Sequence, residues 1–313
     1  MIYTLTISPS IDFINIVDKF ELDKINRTNK STFLIGGKGI NVSLVLKELN
    51  VESTVLGFYS DFTGQYLKKE LDNKNIKNDL IEAKGYTRVN VKVYSDCETA
   101  LNTDSLIIEQ NHIDKLKAKL NALNEKDILI ISGSISSGLK DDLYEQLIKD
   151  LKNVKVVIDC TKELLLKTLK YNPYLIKPNR EELEEIFKIH VRDKDTAINC
   201  AKILRKKGAQ NVIVSLDKEG AILVDNNNNS YYLKSVDIKK VSSVGAGDSL
   251  VAGFICGIEK KLPIKEAFIL GVACGNATAA SKTLANKTGI DEMVSLIKEF
   301  NNENNWSIRC KCN

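Results

Sequence analysis

Histidine is nearly missing: His112 and His190 are the only two in 313 residues. The cysteines supply no four-ligand spacing either, so a structural zinc site has no ligand set. Cys97, Cys160, Cys200, Cys256 and Cys274 lie scattered, mostly in apolar runs, and read as small buried hydrophobes of a reducing compartment. Cys310 and Cys312 fall in a polar tail. No apolar run approaches the roughly 18 residues of a membrane span. The opening IYTLTI is too short for a signal-peptide core and reads as a strand. These features predict a cytoplasmic protein without membrane contact. Neither G-x-x-x-x-G-K-[ST] nor G-x-G-x-x-G occurs, which excludes a Walker loop and a dinucleotide fingerprint. A one-sided charge is missing too. Lys and Arg number 45 against 41 Asp and Glu, net +4, and the two signs interleave along the chain. That is a solvated mixed surface, suited to small anions and carrying no demand for nucleic acid.

What is present is alternation. Short β-branched runs (Ile2–Ile7, Thr54–Phe58, Ile128–Ser132, Val154–Asp159, Tyr174–Ile176, Val212–Leu216, Ala221–Val224) alternate with amphipathic helical patterns. Those helices are expected over Ile40–Leu49, Thr63–Asn73, Asp141–Leu151, Lys162–Lys170, Arg180–Phe187 and Thr196–Lys207. Strand–helix–strand repetition predicts an α/β fold, a mostly parallel sheet covered on both faces. Two stretches break the rhythm, 12–33 and 85–102. They carry strand-like alternation with no helix between, and predict a small accessory sheet placed as a lid or as a plain edge extension. From Gly245 to Phe300 the pattern is helical, and 301–313 reads as a polar tail.

Four segments carry chemistry. Val244-Gly245-Ala246-Gly247-Asp248-Ser249 opens a long apolar helix. Its glycines let backbone amides close on an anion, and a helix N-terminus adds unpaired N–H groups. Asp248 is placed there to meet an attacking hydroxyl, or only to cap the helix. The helix N-terminus is expected to lower its pKa and leave it a weak base. Gly36-Gly37-Lys38-Gly39-Ile40-Asn41 is a second glycine-rich helix start, either a ligand contact or a flexible turn. In Ile176-Lys177-Pro178-Asn179-Arg180-Glu181-Glu182, Asn179 and Glu182 stand three apart. That spacing serves a water-coordinated Mg²⁺ or a capping box. In Thr87-Arg88-Val89-Asn90-Val91-Lys92, strand periodicity turns Arg88, Asn90 and Lys92 to one face. Two cations and an amide there suit a phosphate already on the substrate, with Arg27 able to join, or form an ordinary exposed strand face.

Taken together, GGKGIN, SGS at 132–134, IKPNREE and VGAGDS resemble, in order, the motifs of the ribokinase-like (PfkB) carbohydrate kinases. The resemblance runs from Met1 to about Phe300, and TRVNVKV is most similar to the bacterial 1-phosphofructokinases. It implies a three-layer α/β/α kinase domain over 1–300 with a β-sheet lid, and dimers paired through such lids. It implies ATP and Mg²⁺ as cofactors and a sugar phosphate as partner. The reaction implied is phosphorylation of the C6 hydroxyl of fructose 1-phosphate, with tagatose 6-phosphate and fructose 6-phosphate as alternatives. A non-catalytic sugar-phosphate sensor and a nucleoside or ribose kinase are further rivals. By the same resemblance Asp248 is the base and Gly245, Ala246 and Gly247 the anion hole. Asp12, Gly37, Lys38 and Asn41 hold the sugar; Arg27, Arg88, Asn90, Lys92 and Ser134 line its phosphate pocket. Lys177, Asn179 and Glu182 serve the ATP phosphates and Mg²⁺, while Ser215 and Gly220 line the nucleotide site. Asp217 stands where the family has glycine, which predicts weaker ATP binding or a changed nucleotide preference. Thr103-Asp104-Ser105 replaces a glycine- and proline-rich turn beside the lid.

Overall fold

Ile128–Ser132 is buried at every position, and its residues divide between two cores. Leu129 and Ile131 face one cluster, Ile128 and Ile130 the other. That is the signature of a parallel strand covered on both sides, and the whole computed structural model is built on it. It describes residues 1–103, 106–135 and 138–303.

The chain begins with β1 (Ile2–Thr6), β2 (Ser10–Ile16), β3 (Lys30–Gly36), α1 (Lys38–Glu48), β4 (Ser53–Tyr59), α2 (Asp61–Asn73) and β5 (Lys77–Glu82). Short strands follow: β6 (Lys84–Gly85), β7 (Arg88–Tyr94), β8 (Glu98–Leu101) and β9 (Leu106–Ile107). The middle third carries α3 (Gln110–Asn121), β10 (Ile128–Ser132), α4 (Leu143–Ile148), β11 (Lys155–Asp159), α5 (Lys162–Thr168) and β12 (Leu175–Ile176). Then come α6 (Arg180–Phe187), α7 (Lys194–Lys206), β13 (Asn211–Ser215), β14 (Ala221–Val224) and β15 (Ser230–Leu233). Three helices close the chain: α8 (Ala246–Glu259), α9 (Ile264–Ala279) and α10 (Lys287–Glu303).

Nine strands form the central sheet in the order β15-β14-β13-β12-β11-β10-β1-β4-β5. Its pairings are parallel except at the β13–β14 and β14–β15 ladders. Helices α3, α4, α5 and α7 cover one face, and α1, α8, α9 and α10 the other. The three-layer expectation therefore holds. The segments near 12–33 and 85–102 pair into a single four-stranded sheet, β3-β2-β7-β8. Its centre is a parallel ladder that sets Ser10 opposite Arg88, Asp12 opposite Asn90 and Ile14 opposite Lys92.

Some boundaries differ from expectation. The helix expected over Asp141–Leu151 is only α4, Leu143–Ile148. The one expected to reach Lys170 tightens to a 3₁₀ turn at Leu169–Tyr171 and ends at Asn172, whose φ is +52°. Helix α10 runs three residues past the tail boundary at Phe300. The remainder of the tail, with Cys310 and Cys312, lies outside the described residues, as do Asp104 and Ser105. Among the described residues no helix is long and apolar enough to cross a membrane.

Candidate active site

Two helix N-termini converge where the body faces the small sheet. Helix α1 starts from Gly37, whose φ is +124°. Helix α8 starts from Gly245, with φ +77°. A side chain at Gly245 would be strained by this backbone and would meet Leu284 Cδ2 at 2.5 Å. The two motifs touch directly: Asn41 Nδ2 donates to Asp248 Oδ2 at 2.8 Å across 207 residues of sequence. Lys38, Asn41, Gly245 and Asp248 form the body side of a cavity of about 850 Å³.

The small sheet forms the opposite wall with Asp12, Arg88, Asn90 and Lys92. Asp12 organises it. One carboxylate oxygen accepts from Asn90 Nδ2 at 2.8 Å, and the other lies 3.0 Å from Lys92 Nζ. Lys92 is thus already paired, which its strand spacing alone did not reveal. Arg88 Nε and Asn90 Oδ1 are buried without a hydrogen-bond partner, although buried polar groups are ordinarily paired. An anionic, hydroxylated ligand in the cavity would satisfy both.

Asp248 is 5% exposed. Burial pushes its carboxyl up to about 6, helped by the Asp159 carboxylate and opposed by Asn41, Lys38 and Lys177. This corrects the expectation of a depressed value. The helix N-terminus acts on Asp248, but loss of water outweighs it at this depth.

Behind α8 the carboxyl ends of neighbouring strands gather the remaining residues. Lys177 is buried and paired with Asp159 at 3.1 Å. A Cβ added to Gly247 would sit 3.0 Å from the Lys177 ammonium, so that glycine is where the amine meets the helix. Ala246 is the first residue of α8. Asn179 and Glu182 form a reciprocal capping box on α6: Glu182 N donates to Asn179 Oδ1 at 2.7 Å and Asn179 N to Glu182 Oε2 at 2.9 Å. The capping alternative is therefore realised, and Glu182 Oε1 is left for other work. Asn179 bridges to Ser215 at the end of β13. Gly220, with φ +110°, ends the turn after β13, where a Cβ would meet Leu233 O at 2.0 Å. Among the described residues no three His, Cys, Asp or Glu side chains cluster at metal-binding distances.

Two residues expected at the cavity are not brought there. Arg27 is exposed in the loop joining β2 to β3, and Ser134 is exposed beyond β10, its carbonyl accepting from Tyr144 at 3.5 Å. Other residues line the cavity without having been singled out, among them Tyr94, Glu98, Lys282 and Asn286. Asp159 was also missed. Its only sequence signal is a carboxylate at the end of the apolar run KVVID. Asp217, expected to add negative charge near the ATP phosphates, pairs with Lys240 at 2.9 Å, which holds its carboxyl below the usual range. Asp217 takes φ +50°, a backbone that also suits glycine. Asp217→Gly is therefore expected to shift KM for ATP by no more than about threefold, the scale of an exposed ion pair. Steady-state ATP titration checks this, and a tenfold gain in affinity would show the carboxylate acting on the nucleotide.

The model for the pfkB family carbohydrate kinases matches residues 2–289. The 1-phosphofructokinase of Bacillus subtilis is 41% identical over 300 residues, 95% of this chain and 99% of its own. The D-tagatose-1-phosphate kinase of Bacillus licheniformis is 33% identical over 95% of this chain and 99% of its own. Phosphofructokinase-2 of Escherichia coli, solved in complex with fructose-6-phosphate, superposes with a TM-score of 0.88 at 27% identity. That superposition covers 95% of this chain and 99% of the other.

Proposed function

The chain belongs to the pfkB family of carbohydrate kinases, and from that premise we propose that it transfers the γ-phosphoryl group of ATP to the C6 hydroxyl of fructose 1-phosphate, giving fructose 1,6-bisphosphate. The observation that carries the substrate is that Arg88 and Asn90 line the same cavity as Asp248 and keep Nε and Oδ1 unsatisfied. They suit a phosphate and a hydroxyl held opposite the base. High identity to a 1-phosphofructokinase over nearly the full length supports the same choice.

In this reading Arg88 and Lys92 take the sugar's own phosphate. Asp12, Asn90 and Asn41 accept and donate to its hydroxyls, beside Gly37 and Lys38. The C6 hydroxyl meets the Asp248 oxygen that Asn41 does not occupy. Backbone N–H groups of Gly245, Ala246 and Gly247 surround the transferring phosphoryl, with the Lys177 ammonium under Gly247. Ser215 and Gly220 border the nucleotide. Asn179 and Glu182 would hold Mg²⁺ through water, because each has committed one oxygen to the capping box. The ion would neutralise charge on the ATP phosphates. Such transfer depends mainly on positioning and charge compensation, and closure of the small sheet would keep water from the phosphoryl group. That sheet also turns Phe33 and Leu101, 50% and 66% exposed, to solvent, which supports pairing of two such sheets in a dimer. ATP as donor and the five free cysteines among the described residues fit the cytoplasm.

Tagatose 1-phosphate is the second reading, favoured by the Bacillus licheniformis relative. It keeps the phosphate at C1 and differs from fructose 1-phosphate only at C4. Rates with both sugars, alongside fructose 6-phosphate and tagatose 6-phosphate, decide. A preference for either 6-phosphate would overturn the placement of the sugar's phosphate.

Two further results are expected. Only ionised Asp248 accepts a proton, and its carboxyl titrates near 6. kcat/KM for the sugar phosphate should therefore fall as pH drops below about 6, approaching tenfold per unit. A kcat/KM unchanged down to about pH 5 would show that the base is another group. Lys92→Ala should chiefly raise KM for the sugar phosphate, because it removes a cation and leaves the Asp12 carboxylate facing the phosphate. An effect confined to ATP would displace Lys92 from this role.

A further inference from the structure

Three adjacent strands end beneath the first turn of α8. Ser132 ends β10 and lies opposite Asp159, the last residue of β11; Lys177 directly follows β12. All three are buried, at 2%, 3% and 6% exposure. One Asp159 oxygen lies 3.1 Å from Lys177 Nζ. The other has no hydrogen-bond partner, and neither has the Ser132 hydroxyl. The carboxylate therefore depends on Lys177 for its compensation. On its far side the same ammonium rests against Gly247, where an added Cβ would be only 3.0 Å away.

The buried Lys177 ammonium pairs with Asp159 and also feels the charge of the Asp248 carboxylate. Neutralising one leaves it to the other, since an unpaired charge at this depth is costly. We propose that Asp159 is a positioning residue for phosphoryl transfer: its carboxylate anchors the Lys177 ammonium under the backbone of Gly247 and keeps it from closing an ion pair on Asp248. The inference rests on the kinase reading above.

The charged groups around Asp248 define the consequence. Lys38 and the amide of Asn41 face it from α1, Asp159 from β11 and Lys177 from beyond β12. Glu182 of α6 faces Lys177 in turn. Helix α9 packs on α8 through Thr278, which bonds Ser249 and brings no charge. Across the cavity stand Arg88 and Lys92, the latter neutralised by Asp12, and Glu98 and Lys282 line the same cavity. Removing the Asp159 charge takes away a repulsive neighbour of Asp248 and frees Lys177 to approach it. Both changes favour ionised Asp248, so its protonation midpoint moves to lower pH. The base becomes weaker while the cation leaves the transferring group.

The test compares the full-length wild type with Asp159→Asn and Asp159→Glu, using initial rates with Mg-ATP and fructose 1-phosphate from about pH 5 to 9. Asp159→Asn is expected to lose about 10–10²-fold in kcat, the scale of a misplaced catalytic group. Its KM for the sugar phosphate should stay within about twofold, and the acid limb of kcat/KM should move down by about half a pH unit or more. Asp159→Glu retains the charge and should keep the wild-type midpoint. A purely structural role would lower kcat and the melting temperature of both variants with the midpoint unmoved, and that result overturns the inference. So does wild-type kcat in Asp159→Asn. If the amide variant is too unstable to assay, Asp159→Ser gives the same reading with less bulk. A wild type inactive on every sugar phosphate would overturn the kinase reading and this inference with it. An active wild type with an unmoved midpoint overturns this inference alone.

Discussion

Asp248→Asn should lower kcat by about 10²–10⁴-fold, the range that general-base assistance supplies, and should leave the fold intact. The amide has the shape of the carboxylate and can still accept from Asn41, which now donates to Asp248 Oδ2 at 2.8 Å. It cannot take a proton from a hydroxyl. Stability should not suffer. The folded-state pKa of Asp248 is raised, so the native protein binds this proton more tightly than the unfolded chain does. Stability contributed by that proton is lost as pH rises from the ordinary carboxyl range through about 6. At neutral pH the wild type carries that penalty and the Asn variant does not. A melting temperature equal to or above wild type, together with collapsed turnover, is the expected pair of results. Near-normal turnover would remove Asp248 from the role of base.

The second large effect is expected at Arg88. Its Nε is buried without a partner, and β7 holds it beside β2 by the pairing of Ser10 with Arg88. A charge-assisted hydrogen bond contributes about 1.5–3 kcal/mol. Arg88→Ala should therefore raise KM for the sugar phosphate by about 10–10²-fold while KM for ATP stays near wild type. Arg88→Lys should recover little, because an ammonium cannot reproduce the planar fork. Lys92 stands four residues further along the same strand face, but Asp12 already shares its charge. Its truncation should be the milder of the two. A larger effect at Lys92 than at Arg88 would place the phosphate nearer the C-terminal end of β7 and reorder the pocket.

Much of the fold was legible because parallel strands buried on both faces leave uninterrupted apolar runs. Ile128–Ser132 was bounded correctly for that reason, and Ala221–Val224, though antiparallel to both neighbours, because it too is buried at every position. Lys77–Glu82 was not expected as a strand: KNDLIE lies at the sheet edge with a single fully buried residue, and polar edge strands carry little periodicity. The candidate site was legible as separate motifs whose meeting was not. Nothing in GGKGIN or VGAGDS states that Asn41 and Asp248 touch; the family resemblance supplied the grouping. Spacing also hides partners. Arg88, Asn90 and Lys92 share a face, as alternation requires, but their charge balance depends on Asp12, contributed by another strand. Asp217 looked disruptive until its pairing with Lys240 was visible. The pKa of Asp248 was misjudged because sequence reveals a helix start and not the depth at which it is buried.

The decisive measurement is ADP release from Mg-ATP with fructose 1-phosphate, tagatose 1-phosphate, fructose 6-phosphate, tagatose 6-phosphate and free fructose offered in parallel. Turnover that strongly prefers fructose 1-phosphate, with a bisphosphate product, is expected. Absence of turnover with every sugar phosphate, under conditions where the protein is folded and binds ATP, would contradict the kinase reading.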